Sequence, residues 1–161
     1  MGINFPNQTI TETAGILNVT GGTAVQVVEV RSTATYASAN WATQNLLFTG
    51  TITPTSASNK ILVYIYTPWR MDAGAGAWSL GYSWIYNTTQ SRQIMKMGWN
   101  GTWRNTISSY EKLYLDSPAS TAAQTYSIYV GNYPSGTTYW NNSSNSASDG
   151  YAYLRMTEFS V

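Results

Sequence analysis

Apolar positions along this chain recur in short runs with a period of two, separated by clusters of Gly, Pro, Asn, Ser and Thr. That is the pattern of β-strands joined by turns. The sharpest example is Leu46–Trp69, LLFTGTITPTSASNKILVYIYTPW. Its first run ends in Thr51-Ile52-Thr53, where Pro54 removes a ladder donor. A polar linker leads to the second run, Lys60–Thr67, and the two runs are expected to form a hairpin. In the second run Ile61, Val63 and Ile65 form an aliphatic face, and Leu62, Tyr64 and Tyr66 an aromatic one. A strand without a polar face is expected to be covered on both sides. One face suits a sandwich core; the tyrosines suit a contact with a wet edge.

The rest of the chain repeats the pattern. Thr23–Arg31 is a predicted strand whose alternation slips from Val25 and Val27 to Val28 and Val30, which predicts a bulge near Val27-Val28. Ser32–Thr43 reads as an irregular strand or loop, and Met71–Ala77 as a Gly/Ala loop. Trp78–Tyr86 alternates sharply, with Trp78, Leu80, Tyr82, Trp84 and Tyr86 on one face; Asn87–Gln90 turns it into a return strand, Ser91–Met97. Gly98–Asn105 is a predicted loop carrying Trp99 and Trp103. Strands follow at Thr106–Leu115, Gln124–Asn132 and Thr137–Asn142, then a polar loop to Gly150, and Tyr151–Val161 closes the domain. No amphipathic helix and no internal repeat is visible. The fold class is therefore all-β, an antiparallel β-sandwich of the jelly-roll kind. Met1–Gly22 differs, with isolated apolar residues among Thr, Asn and Gly. It reads as an extended N-terminal arm, with room for short strands, ordered by a partner; a disordered leader is the plainer reading. The expected division is an arm at 1–22 and a sandwich at 23–161.

Composition narrows the chemistry. Cysteine and histidine are both absent, so disulfides, Ser-His-Asp or Cys-His triads and the preferred zinc ligands are excluded. Charged residues make up only 9%, with a net charge of +1. The scattered Lys and Arg form no basic footprint, so no nucleic-acid partner is expected. The longest apolar run falls far short of a membrane span, and Met1–Ile10 lacks the basic start and apolar run of a secretion signal. No membrane partner and no cofactor are expected. Asp72 and Asp149 stand alone near glycines and read as turn formers. Gly74-Ala75-Gly76-Ala77 lacks the ending of a phosphate loop. Glu111 and Lys112 read as edge charges on one strand. Nothing selects two of the seven acids as a catalytic pair, and the chain is not read as an enzyme. What remains is the aromatic content, seven Trp and 13 Tyr. Such residues suit an oligomer interface or, on loops, stacking against sugars. The strand-borne Tyr64, Tyr66, Tyr82 and Trp84 are assigned to core or subunit interface, and Trp99, Trp103 and Trp140 to packing with less contrast. Low charge suits a component of an assembly better than a free monomer.

Four stretches resemble a module of tailed-phage virion proteins found in tail fibres and small head-decoration proteins. They are Ala24-Val25-Gln26-Val27-Val28, Ile52-Thr53-Pro54 with Asn59-Lys60-Ile61-Leu62-Val63, Leu115-Asp116-Ser117-Pro118-Ala119 with Thr125-Tyr126, and Leu154-Arg155-Met156-Thr157-Glu158. The resemblance spans roughly residues 24–161. It implies a jelly roll that forms a homotrimer through aromatic and aliphatic sheet faces, with Tyr64, Tyr66, Tyr82 and Trp84 as candidate interface residues. With only the arm ahead of the module, it implies a virion decoration (cement) protein on the capsid exterior, bound to the major capsid protein. Ile3, Phe5, Ile10, Ile16 and Leu17 are the candidate docking residues of the arm. The competing expectation is a receptor- or glycan-binding tip of a tail fibre.

Overall fold

A computed structural model describes residues 9–13, 16–20, 23–33, 36–38, 44–72, 79–97, 101–102, 107–132, 137–140 and 151–161. Among them there is no helix. The strands are β1 (Thr9–Thr13), β2 (Ile16–Thr20), β3 (Ala24–Ser32), β4 (Tyr36–Ser38), β5 (Asn45–Ile52), β6 (Lys60–Asp72), β7 (Ser79–Asn87), β8 (Arg92–Met97), β9 (Gly101–Thr102), β10 (Ile107–Asp116), β11 (Gln124–Asn132), β12 (Thr137–Trp140) and β13 (Ala152–Phe159). All pairings are antiparallel.

Two sheets form the sandwich. The first runs β3-β13-β6 with β10 on the far side of β6, and β12 and β4 extend it beyond the end of β13. The second runs β5-β11-β7-β8. The pairing has a nested order. Leaving out the short β4, β9 and β12, the first sandwich strand pairs with the last (β3–β13) and the next inward with its counterpart (β5–β11). β6–β10 and β7–β8 complete the series, and successive pairs alternate between sheets. A long antiparallel ribbon rolled on itself in this way is a jelly roll.

The period-two pattern decides which side chains are inside. Ile61, Val63 and Ile65 of β6 are fully buried, as their spacing predicts, and meet Ile85, Tyr126, Ile128 and Val130 of the second sheet within one core. Toward the far end of β6 the core turns aromatic. Trp69 stacks on Tyr110 at 5.7 Å, and Trp140 packs against both. Trp140 therefore belongs to a strand of the core rather than to a loop. Pro68 falls where β6 changes partner on one side, from β13 (through Tyr66) to β12 (from Trp69). A residue without a ladder donor is tolerated at such a seam. Gly50 lies on the inner face of β5, where an added Cβ would come 2.8 Å from Met156 Cε and 2.9 Å from Leu154 Cδ2. The two sheets approach closely there because no side chain intervenes.

Three local expectations are corrected. The two runs of Leu46–Trp69 do not form a hairpin: β5 belongs to the second sheet and β6 to the first. The linker Thr53–Asn59 is an arch across the open end of the sandwich, and alternation along each run reads the same in either connection. The bulge is not at Val27-Val28, which pair in register with Thr157 and Met156. The register shifts at Val25, opposite Glu158 and Phe159, and Val27 is an exposed valine on an outward face. Gly98–Asn105 is not wholly a loop, since Gly101–Thr102 pairs with β7; Trp99 and Trp103 lie outside the described residues.

β1 and β2 pair only with each other among the described strands, with Ile10 opposite Val19 and Glu12 opposite Leu17. Ile3 and Phe5 lie outside the described residues.

Candidate functional site

The described residues contain no cluster of metal-ligating side chains. The candidate sites are the outward sheet faces, held in shape by two buried carboxylates. The first carboxylate is Glu158 of β13. It accepts hydrogen bonds from Asn59 Nδ2 (2.6 Å), Gln26 Nε2 (2.6 Å), the Thr55 amide (2.7 Å) and the Thr55 hydroxyl (2.9 Å). Burial alone would raise its pKa, but the donors from Asn59, Gln26 and Thr55 together outweigh burial and hold it below the usual range. Glu158 thus pins the arch to β3 and β13.

The second carboxylate is Asp116, at the end of β10. Arg92 and the Ser117 amide bind one oxygen; Tyr126 Oη (2.8 Å) and Asn87 Nδ2 (3.3 Å) donate to the other. Burial, and next the Asp116 charge, push the Tyr126 phenol well above its ordinary value. The hydrogen bond to Asp116 likewise holds Arg92 more firmly protonated. The four stretches that resemble the phage module supply Gln26, the arch, Asp116, Tyr126 and Glu158. Their role here is to close one end of the sandwich. Both oxygens of each carboxylate are engaged in these hydrogen bonds.

The outward face of the first sheet follows the alternation of β6: Leu62, Tyr64 and Tyr66 point away from the core and are half-buried. Tyr153 of β13 stacks on Tyr66 (5.3 Å) and tilts against Tyr64 (5.4 Å). Its hydroxyl donates to Tyr64 Oη at 3.2 Å, and Tyr64 in turn donates to Glu111 at 3.4 Å. The hydrogen bond with Tyr153, then burial, raises the Tyr64 pKa; for Tyr66 burial comes first and the Glu111 charge second. Tyr64 and Tyr66 stay neutral. Exposed Leu113 and Val27 widen the apolar patch. At its margin Glu29 binds Arg155 (2.6 Å) and Arg31 (2.7 Å), chiefly through the Arg155 bond a carboxylate held low. An apolar centre with a charged rim is the layout of a protein interface. Glu111 and Lys112 are exposed on β10, which pairs with β6 alone among the described strands, so they are edge charges as expected.

Tyr82 and Trp84 are not part of this patch. β7 lies in the second sheet, and the two rings stack on each other (5.7 Å) on its outward side with Tyr86 and Tyr129 against them. They are only 9% and 8% exposed, with Lys96 over both rings. The four candidate interface residues thus form two groups on different sheets, and Tyr64 and Tyr66 retain the larger accessible surface. Tyr153 was not singled out from sequence. Its signal was the alternation of Tyr151, Tyr153, Arg155 and Thr157 against buried Ala152, Leu154, Met156 and Glu158.

No protein-family model and no curated protein matches the sequence. Among solved structures, a chain of the T13 particle of infectious bursal disease virus (IBDV) superposes with a TM-score of 0.50 at 12% identity, over 95% of this chain. The D431N mutant VP2 protein of the same virus, in T=1 particles, gives 0.47 at 10% identity over 96% of this chain. This chain spans 40% and 44% of the length of those two. What the first likeness establishes is the fold: the sandwich described here has the architecture of a chain from an icosahedral viral particle.

Proposed function

We propose that this chain is a virion structural protein that decorates a phage capsid shell from outside, as a homotrimer bound to the major capsid protein. The observation that carries the reading is the fold likeness to a chain of an icosahedral virus particle. The sequence resemblance to head-decoration modules supports it.

The mechanism is passive. Copies joined through the Tyr64–Tyr66–Tyr153 face would present the sandwich as a rigid block, and the arm at 1–22 would dock on the shell through its apolar residues. Each bound copy bridges neighbouring capsid subunits and adds binding free energy to the assembled state by mass action. Two buried carboxylate networks suit this role, since they fix the end of the sandwich without a disulfide.

The test combines sedimentation of the isolated protein with imaging of particles. The expected result is a trimer at micromolar concentration and density on the outer surface of the head. A folded monomer that leaves purified shells undecorated, or density confined to the tail, overturns the proposal.

A further inference from the structure

On the outward side of the second sheet, the β7–β8 turn and the start of β5 enclose an open hollow of about 370 Å³. Among the described residues it is lined by Gln44, Tyr86, Thr88, Ser91 and Tyr129. We infer that this hollow binds a neutral glycan.

The lining is aromatic and uncharged. Tyr86 and Tyr129 meet edge to face, 5.3 Å between centroids and 82° between planes. Such rings offer π-faces to the C–H side of a sugar ring. Around them stand groups able to pair with sugar hydroxyls. The side chains of Gln44 and Ser91 and the Tyr129 hydroxyl make no hydrogen bond within the described residues, so their capacity is unspent. Tyr86 Oη donates to Gln93 Oε1 at 2.9 Å and keeps its lone pairs for a ligand.

The two neighbouring cations are occupied elsewhere. Arg92 binds Asp116 and Gln90, and Lys96 lies over Tyr82 and Trp84. An anionic ligand would lose water here without gaining a counter-charge. A neutral one loses less.

The hollow is also built in advance. The Thr88 amide donates to Thr125 O at 2.8 Å, and the Thr88 hydroxyl to the same oxygen at 3.1 Å. Thr89 Oγ1 accepts from the Thr125 amide (2.9 Å) and donates to Ala123 O (3.2 Å). Ser91 closes the turn with φ of 50°, a left-handed conformation for a residue with a side chain. Strain of this kind persists where the surroundings fix it, and it gathers at binding sites. A pocket whose walls are already ordered loses little entropy on binding.

The experiment titrates the full chain with maltohexaose, cellohexaose and chitohexaose, and with hexagalacturonate as the anionic counterpart, by saturation-transfer NMR and calorimetry. At least one neutral hexamer is expected to bind more tightly than the anion. Gln44→Ala with Ser91→Gly should weaken it about tenfold or more, the loss expected for two hydrogen bonds. Gln44 and Ser91 are exposed, and glycine accepts the φ of Ser91, so this double variant should fold. Tyr129→Ala should weaken binding further. Failure of every neutral hexamer to bind at millimolar concentration, tighter binding of the anion, or an unchanged affinity in the double variant overturns the inference. Shell decoration by the double variant should match the unsubstituted chain, so the decoration proposal stands or falls separately.

Discussion

Asp116 and Glu158 flank Ile61 from its two sides in one row of the first sheet: Asp116 pairs with Ile61 across β10–β6, and Glu158 pairs with it across β13–β6. Both carboxylates are buried on the core side of that row. An ionised carboxylate is costly to bury unless donors surround it. Here one is met by a guanidinium and the other by neutral donors alone.

Glu158 makes stability acid-dependent. Its folded pKa lies below the unfolded value, so its contribution is fully present above the unfolded value, about 4.3, and is lost as pH falls through the folded one. Glu158→Gln should cost roughly 1–3 kcal/mol at pH 7, because an amide group faces donors from Asn59, Gln26 and Thr55. Urea unfolding at neutral and acidic pH should show a smaller loss on acidification in the variant. An equal loss in both proteins would remove Glu158 as the cause.

Asp116 is held by more than one group, so its partners should be graded. Tyr126→Phe deletes one donor to a charged acceptor and should cost roughly 1.5–3 kcal/mol. Asp116→Ala strands the other groups of the network and should cost roughly 3–5 kcal/mol. Denaturant titration of both variants checks the order; a Tyr126→Phe loss as large as that of Asp116→Ala contradicts it.

Gly50→Val should destabilise the sandwich by roughly 1–3 kcal/mol, the range for overpacking a filled core. The new side chain would meet Leu154, Met156 and Val30. Thermal unfolding reads the effect. An unchanged midpoint would mean that the two sheets separate more easily than their packing implies.

The core was readable because period two fixes which residues share a face. Ile61, Val63 and Ile65 needed no knowledge of partners to be placed inside. The connection between β5 and β6 was not readable, since a hairpin and an arch leave the same alternation in both runs. Nor was the placement of Glu158, whose donors come from Gln26, Thr55 and Asn59, far away in the chain. By type alone Tyr82 and Trp84 suit a core or a subunit interface equally. Their burial depends on which strands flank β7, which no local pattern encodes.

Tyr64 and Tyr66 should matter to assembly more than to folding, because they are half-buried within one chain. Replacing both with Ser should weaken self-association by about 2 kcal/mol or more, as expected for central aromatic residues of an interface. Sedimentation velocity across a dilution series measures this. A variant that associates like the original would move the interface off this face.

The arm gives the test of attachment. Among the described strands, β1 and β2 form a ribbon of their own, with no ladder to either sheet of the sandwich. Its register sets Ile10 opposite Val19, Glu12 opposite Leu17 and Thr13 opposite Ile16. A two-stranded ribbon is at best marginally stable alone, and on the proposed reading it gains its order on the shell. Removal of residues 2–20 leaves every sandwich pairing from β3 to β13 in place. The truncated chain is therefore expected to fold with an unchanged unfolding midpoint and to self-associate as before, yet to lose binding to purified shells. Co-sedimentation with shells and circular dichroism on the same sample separate the outcomes. Shell binding that survives the truncation would move the anchor from the arm to the sandwich.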